Sequence, residues 1–193
     1  MIIMAEKGDK TKQYIIQTAA GLFSKKGFTA VTMKDICEAC GLSRGGLYRH
    51  FGSTKEIFIE VLERDRNDAE ASIDQAIALD LSAKKLLEGF FQLQKNDIAF
   101  NKNRIEVAVY EFSVAYPEQK EYLNERFQAA VKIFAKLIEY GQKRGELLAG
   151  DATILAEHIV IFLEGLKLSS KIIDISENFL TKQFEILSGM VIR

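Results

Sequence analysis

Arg44, Tyr48, Arg49 and His50 fall within seven residues of one another in the stretch GLSRGGLYRHFGSTKE, Gly41 to Glu56, and Lys55 follows closely. Arginine can fork onto a guanine edge, tyrosine and histidine can meet a phosphate or a thymine methyl group, and lysine is a point charge for phosphate. These residue types recognise a polyanion; none is matched with partners that would make it a catalyst. Gly45 and Gly46 interrupt the run, each costing an exposed helix about 1 kcal/mol relative to Ala. A residue without a side chain lets backbone approach a phosphate or base edge closely, and that is the use these two glycines are expected to have.

Other chemistry is thinly represented. There is no Ser/His/Asp set, phosphate loop or nucleotide-binding fingerprint, so no catalytic residue and no cofactor is expected. Cys37 and Cys40 have CxxC spacing, but without a second pair or a βαβ context they are expected to be packing residues rather than a redox pair. His50 and His158 are the only histidines. With no third ligand at useful spacing no metal is expected, and His158, amid Ile159, Val160 and Ile161, reads as a partly buried histidine.

The periodicity that must position these groups is helical throughout, which predicts an all-α chain of about nine helices. A first helix from about Lys10 to Lys26 ends at Gly27. Thr32 caps a second, with Asp35 at the third helical position as in a capping box, and Ile36 and Ala39 turned inward. Ser43 caps a third, from Arg44 to Phe51, with Leu47 and Phe51 inward. Ser53 and Glu56 form another capping box, opening a long helix toward Ala76. Ser82, Asp151 and Ser176 cap later helices, the apolar run from Arg104 to Ala115 is a further one, and Pro117 starts a helix closing near Gly145. The second and third helices, joined through Gly41-Leu42-Ser43, form a helix-turn-helix, whose second member enters the DNA major groove.

Charge distribution agrees with that reading. Up to Lys55 there are seven lysines and two arginines against four acids, a balance of +5, leaving −6 for the rest of a 193-residue chain whose net charge is −1. A basic quarter on an acidic body is the pattern of a polyanion partner at one end. The opening residues lack the apolar core of a secretory signal, and no stretch approaches the roughly 20 apolar residues needed to span a bilayer, so a cytoplasmic chain without a membrane partner is expected.

The pattern Ala19-Ala20-Gly21-Leu22-Phe23, Gly27-Phe28, Thr32, Asp35-Ile36, Ala39, Gly41-Leu42-Ser43, Gly45, Leu47-Tyr48-Arg49-His50-Phe51 and Lys55-Glu56 resembles the N-terminal domain of the TetR/AcrR family of bacterial transcriptional regulators. The match covers roughly Lys10 to Val61. The resemblance implies a three-helix DNA-binding head, residues 1–55, on a helical ligand-binding and dimerisation body, residues 56–193. It implies a homodimer on a palindromic double-stranded DNA operator, acting as a repressor released by a small-molecule effector. By the same resemblance Thr32, Ser43, Arg44, Gly45, Tyr48, His50 and Lys55 occupy DNA-contact positions, while Arg49 sits where the family varies.

In the body, the stretch IEVAVYEFSVAY from Ile105 is apolar nearly all round, interrupted by Glu106 and Glu111. One reading is an effector pocket lined by Phe90, Phe91, Tyr110, Phe112, Phe127 and Phe134, with Glu111 meeting a cationic or hydrogen-bonding ligand. The other is plain core packing with surface-paired carboxylates. Ile159, Phe162, Leu163, Leu166, Phe184 and Leu187 belong to two terminal helices with more apolar surface than one body needs, and are expected at a dimer interface. The rival to a DNA-binding regulator is a helical small-molecule carrier or enzyme, for which the basic head would be incidental.

Overall fold

A computed structural model of the chain describes residues 2–100 and 105–193, with side chains from Lys10 onward. The described residues form nine α-helices and no strand: α1 Ile2–Lys26, α2 Met33–Cys40, α3 Arg44–Tyr48, α4 Thr54–Ala78, α5 Ala83–Phe100, α6 Ile105–Ala115, α7 Lys120–Lys143, α8 Ala152–Ser169 and α9 Glu177–Val191. A 3₁₀ turn, Pro117–Gln119, precedes α7. Pro117 was expected to open the α-helix itself; instead it opens this tighter turn, closed by Gln119 N–H on the Tyr116 carbonyl at 2.9 Å. Helix α1 starts eight residues upstream of Lys10, because extending a formed helix fixes one residue per hydrogen bond gained. Arg104 lies outside the described residues.

The helices gather into two compact units. The first holds α1, α2, α3, α4 as far as Asp65, α6 and the 3₁₀ turn. Its centre is aromatic: Phe23, Phe28, Phe58 and Phe112 meet with ring centroids 4.8 to 5.7 Å apart, mostly edge-on or tilted. Around them Ile15, Ile16, Ala19, Ile36, Leu47, Ile57 and Val61 are fully buried. Each comes from one stripe of an amphipathic helix, so burying that stripe fixes the rotation of every helix and hence what it shows to solvent.

The second unit holds α4 from Arg66, α5, α7, α8 and α9 around an aliphatic core that includes Leu87, Ile138, Ala156, Ile159, Leu180 and Leu187. One end of that unit is tied by polar contacts. Glu146 accepts from Arg144 Nε at 2.7 Å, Ser82 Oγ at 2.8 Å and the Lys84 N–H at 3.1 Å. Arg144 also pairs with Asp80, to which the Tyr140 hydroxyl donates at 3.1 Å. These contacts hold the Glu146 carboxyl at about 2, the Arg144 hydrogen bond being the largest cause.

Candidate nucleic-acid interface

Helix α2 is set by its two ends. At the start, the Asp35 N–H donates to Thr32 Oγ1 at 3.2 Å and the Thr32 N–H donates back to Asp35 Oδ2 at 2.9 Å, a reciprocal capping box. The Thr32 hydroxyl and Lys26 also donate to Asp35, holding its carboxyl well below the usual carboxylate range. At the end, Gly41 takes φ +65°, a left-handed conformation that L side chains resist, and its N–H reaches back to the Cys37 and Glu38 carbonyls. The chain thus reverses within Gly41-Leu42-Ser43. The buried face of α2 is Ile36, Cys37 and Cys40, whereas Ala39, expected inward, is exposed. Both thiols are free, and burial pushes that of Cys40 up, away from the reactive thiolate.

Ser43 begins α3 by accepting the Gly46 N–H at 3.1 Å. The helix then runs only from Arg44 to Tyr48, three residues short of the expected Phe51. Both the His50 and the Phe51 N–H close onto the Leu47 carbonyl, at 2.9 and 3.1 Å, which tightens the last turn. Leu47 and Phe51 are buried nonetheless and anchor the segment. That anchoring leaves Arg44, Gly45, Tyr48 and Arg49 exposed together, with Thr32 and Ser43 also exposed at the two helix starts and His50 half-buried. Arg44 and Arg49 make no ion pair among the described residues. Tyr48 is 53% exposed, a large aromatic surface with no intramolecular reason to face water.

The two glycines differ. A Cβ on Gly45 would meet nothing within 4 Å, whereas one on Gly46 would come 3.3 Å from Ser43 Oγ, the cap of its own helix. Gly45 is therefore open toward solvent and Gly46 partly committed to the turn. Lys55 stands apart from the other cations, because its Nζ lies 2.8 Å from Glu118 Oε1 and 4.7 Å over the Tyr116 ring.

The seven residues expected to share an effector pocket fall in different units. Phe112 is fully buried in the aromatic centre of the first unit. Tyr110, on the same helix, is exposed. Glu111 is engaged with the α1–α2 turn: its Oε2 accepts the Thr29 N–H at 2.8 Å and the Thr29 hydroxyl at 2.9 Å. The carboxylate fills the space beside Gly27, where a Cβ would come within 2.7 Å of both its oxygens. Spacing on α6 cannot show this, because Thr29 is 82 residues away in the chain. Phe90, Phe91, Phe127 and Phe134 all belong to the hydrophobic core of the second unit or pack against it, with Phe90 and Phe134 5.1 Å apart, and Phe91 borders an open groove with Gln92, Thr181 and Phe184.

The residues expected at a dimer interface pack within the chain. Ile159, Leu163, Leu166, Phe184 and Leu187 are buried inside a single chain, and Phe162 is partly buried against Phe184. Helix α8 is apolar on two faces; Ile159, Leu163 and Leu166 belong to its inner one, and Phe184 and Leu187 to the buried face of α9. The outer face of α8 carries Ile154 and Ile161, and α9 likewise exposes Phe179, Ile186 and Met190. His158, expected to be partly buried, is exposed on the outer face of α8, its ring beside Phe162.

A capped helix, a reversal through a left-handed glycine and a second capped helix showing arginine and tyrosine to solvent define a helix-turn-helix DNA-binding protein. The family model of bacterial regulatory proteins of the tetR family matches residues 15–61, and that of the tetracyclin repressor-like C-terminal domain matches residues 86–180. The chain belongs to the TetR family of transcriptional regulators. It is 29% identical over 151 residues to the uncharacterized HTH-type transcriptional regulator YfiR of Bacillus subtilis, covering 75% of this chain and 71% of that protein. It is 28% identical over 134 residues to the HTH-type transcriptional repressor KstR2 of Rhodococcus jostii, covering 68% of this chain and 65% of that protein. Among solved structures the reduced form of Escherichia coli NemR superposes with a TM-score of 0.78 at 16% identity, over 94% of this chain and 98% of that one. A transcriptional regulator from Saccharomonospora viridis in complex with choline superposes with a TM-score of 0.73 at 21% identity, over 96% and 99% of the two chains. At these identities the two structures speak for the fold.

Proposed function

We propose that this regulator is a cytoplasmic repressor that binds a palindromic operator as a homodimer and is released by a small organic effector. The observation that carries the reading is the exposed group of Arg44, Gly45, Tyr48 and Arg49, rigidly presented by the capped turn beneath it. In the operator complex Arg44 reads a base edge, Tyr48 meets a base or phosphate, and Thr32, Ser43, His50 and Lys55 position the backbone. The reading head is residues 1–55, and residues 56–193 provide the effector and dimer surfaces. In the second unit the aromatic set Phe90, Phe91, Phe127 and Phe134 is the best-supported lining for an effector. Release then requires that the effector bind the DNA-incompetent dimer more tightly than the competent one.

For the dimer, the outward residues of α8 and α9 are the supported contact. Ile161 and Ile186 are 60% and 61% exposed. Gly165 and Gly189 have open space where a Cβ would stand, which lets helices of a second copy approach closely. No described helix is long and apolar enough to cross a membrane.

Selection of bound sequences from a random DNA pool tests the proposal. A palindrome with two half-sites is the expected result, and reselection with Arg44→Ala should relax preference at one base pair of each half-site, by about 1–3 kcal/mol. A helical carrier would enrich nothing, and a single asymmetric site would reject the homodimer.

A further inference from the structure

Lys55 is the second residue of α4, a helix whose start is capped by Ser53 accepting the Glu56 N–H at 3.2 Å. The start of a helix favours an anion through its free N–H groups and its dipole, and a lysine placed there adds a full positive charge. That charge is already engaged. Pro117 opens the 3₁₀ turn that presents Glu118, and Glu118 Oε1 accepts from Lys55 Nζ at 2.8 Å while the Tyr116 ring covers the ammonium at 4.7 Å. The Lys55 side chain keeps only 27% exposure, against 58% for Glu118.

We propose that Glu118 restrains operator binding by competing with DNA phosphate for Lys55. This rests on the reading of Lys55 as a phosphate contact. A phosphate oxygen within hydrogen-bond reach of Nζ would stand close to the Glu118 carboxylate, and two anions sharing one ammonium repel each other. DNA must therefore displace Glu118, whose exposure leaves it free to rotate away, or bind against its charge. An exposed lysine–carboxylate pair contributes little to folding, so its main consequence is on the availability of the lysine. Glu118 belongs to the α6–α7 turn, 63 residues from Lys55 in the chain. It is thus a residue outside the helix-turn-helix that sets how strongly the head holds DNA.

The test uses the full chain and the DNA recovered from pool selection, with dissociation constants measured across a salt series for the unaltered protein, Glu118→Gln, Lys55→Ala and the double variant. Gln keeps the size and hydrogen-bonding capacity of Glu and removes the charge. Glu118→Gln should bind about two- to fivefold tighter per protomer, the range set by exposed ion pairs. Its log–log salt slope should steepen by up to about one counterion per protomer. Adding Lys55→Ala should abolish both gains. Unchanged or weaker binding by Glu118→Gln overturns the proposal, the latter meaning that Glu118 positions Lys55 for DNA. A gain that persists with Lys55→Ala also overturns it, because the effect would then be the general field of one acid removed. If the unaltered protein shows no salt-sensitive DNA binding, the phosphate reading falls and the restraint with it, and that result is distinct from tight binding that ignores Glu118.

Discussion

Gly45 and Gly46 illustrate how much one side chain can depend on its surroundings. In the sequence they are equivalent defects in a short helix, and alanine at either is expected to stabilise the free protein. The structure separates them, since a Cβ at Gly45 meets open space and one at Gly46 presses on the capping hydroxyl of Ser43. Gly45→Ala should therefore raise the stability of the unbound protein by up to about 1 kcal/mol. On the proposed close approach of this backbone to DNA, the added methyl should also weaken operator binding. Paired thermal melts and binding isotherms check this, and unimpaired binding would show that close approach is not why the glycine is there. Gly46→Ala lacks that clean expectation, because Ser43 must shift to admit it.

At the scale of elements, caps rather than propensity delimit the functional helices. Thr32 holds α2 through a reciprocal exchange with Asp35, so Thr32→Ala should cost about 1 kcal/mol by denaturant unfolding and weaken DNA binding as the start of α2 frays. In the second unit the Glu146 carboxylate collects Arg144, Ser82 and the Lys84 N–H. Its folded-state value of about 2 lies below the ordinary 4.5. A depressed acid contributes stability that is fully present above the ordinary value and is lost as pH falls through the folded one. Melting temperature should thus drop between about pH 4.5 and pH 2, and Glu146→Gln, which has no charge to lose, should flatten that part of the profile. A variant with an unaltered acid limb would show that the contacts are formed equally in the unfolded chain.

For the whole molecule, the question is what covers the apolar outer faces of α8 and α9. Ile154, Ile161, Phe179, Ile186 and Met190 face solvent in one chain, while Ile159, Leu163 and Leu187 supply the core. Ile161→Glu with Ile186→Glu should convert a dimer into a folded monomer, seen by light scattering and by helical circular dichroism of unchanged shape. The monomer should bind the full operator far more weakly, because the two heads no longer act as one ligand. By contrast, charge placed at Leu163 should unfold the chain, since the site is closed within one copy. A dimer that survives both outer-face substitutions would place its interface elsewhere.

Local chemistry carried most of what was legible in the amino-acid order. Thr32 with Asp35, Ser43, Gly41 and the 3.6-residue spacing of Leu47 and Phe51 are neighbours in the chain, so helix starts, the reversal and the inward face follow from short-range rules. The helix-turn-helix and its outward Arg44 and Tyr48 could be read for that reason. Apolar residues of α8 could not be divided between core and outer surface in the same way, because a helix apolar on two faces does not say which neighbour each face meets. Nor could Glu111 be assigned to Thr29 or Lys55 to Glu118, partners 82 and 63 residues apart. Contacts at that separation exist only once the chain has closed the intervening loops, and the packing of whole helices, not any local preference of the carboxylates, selects them.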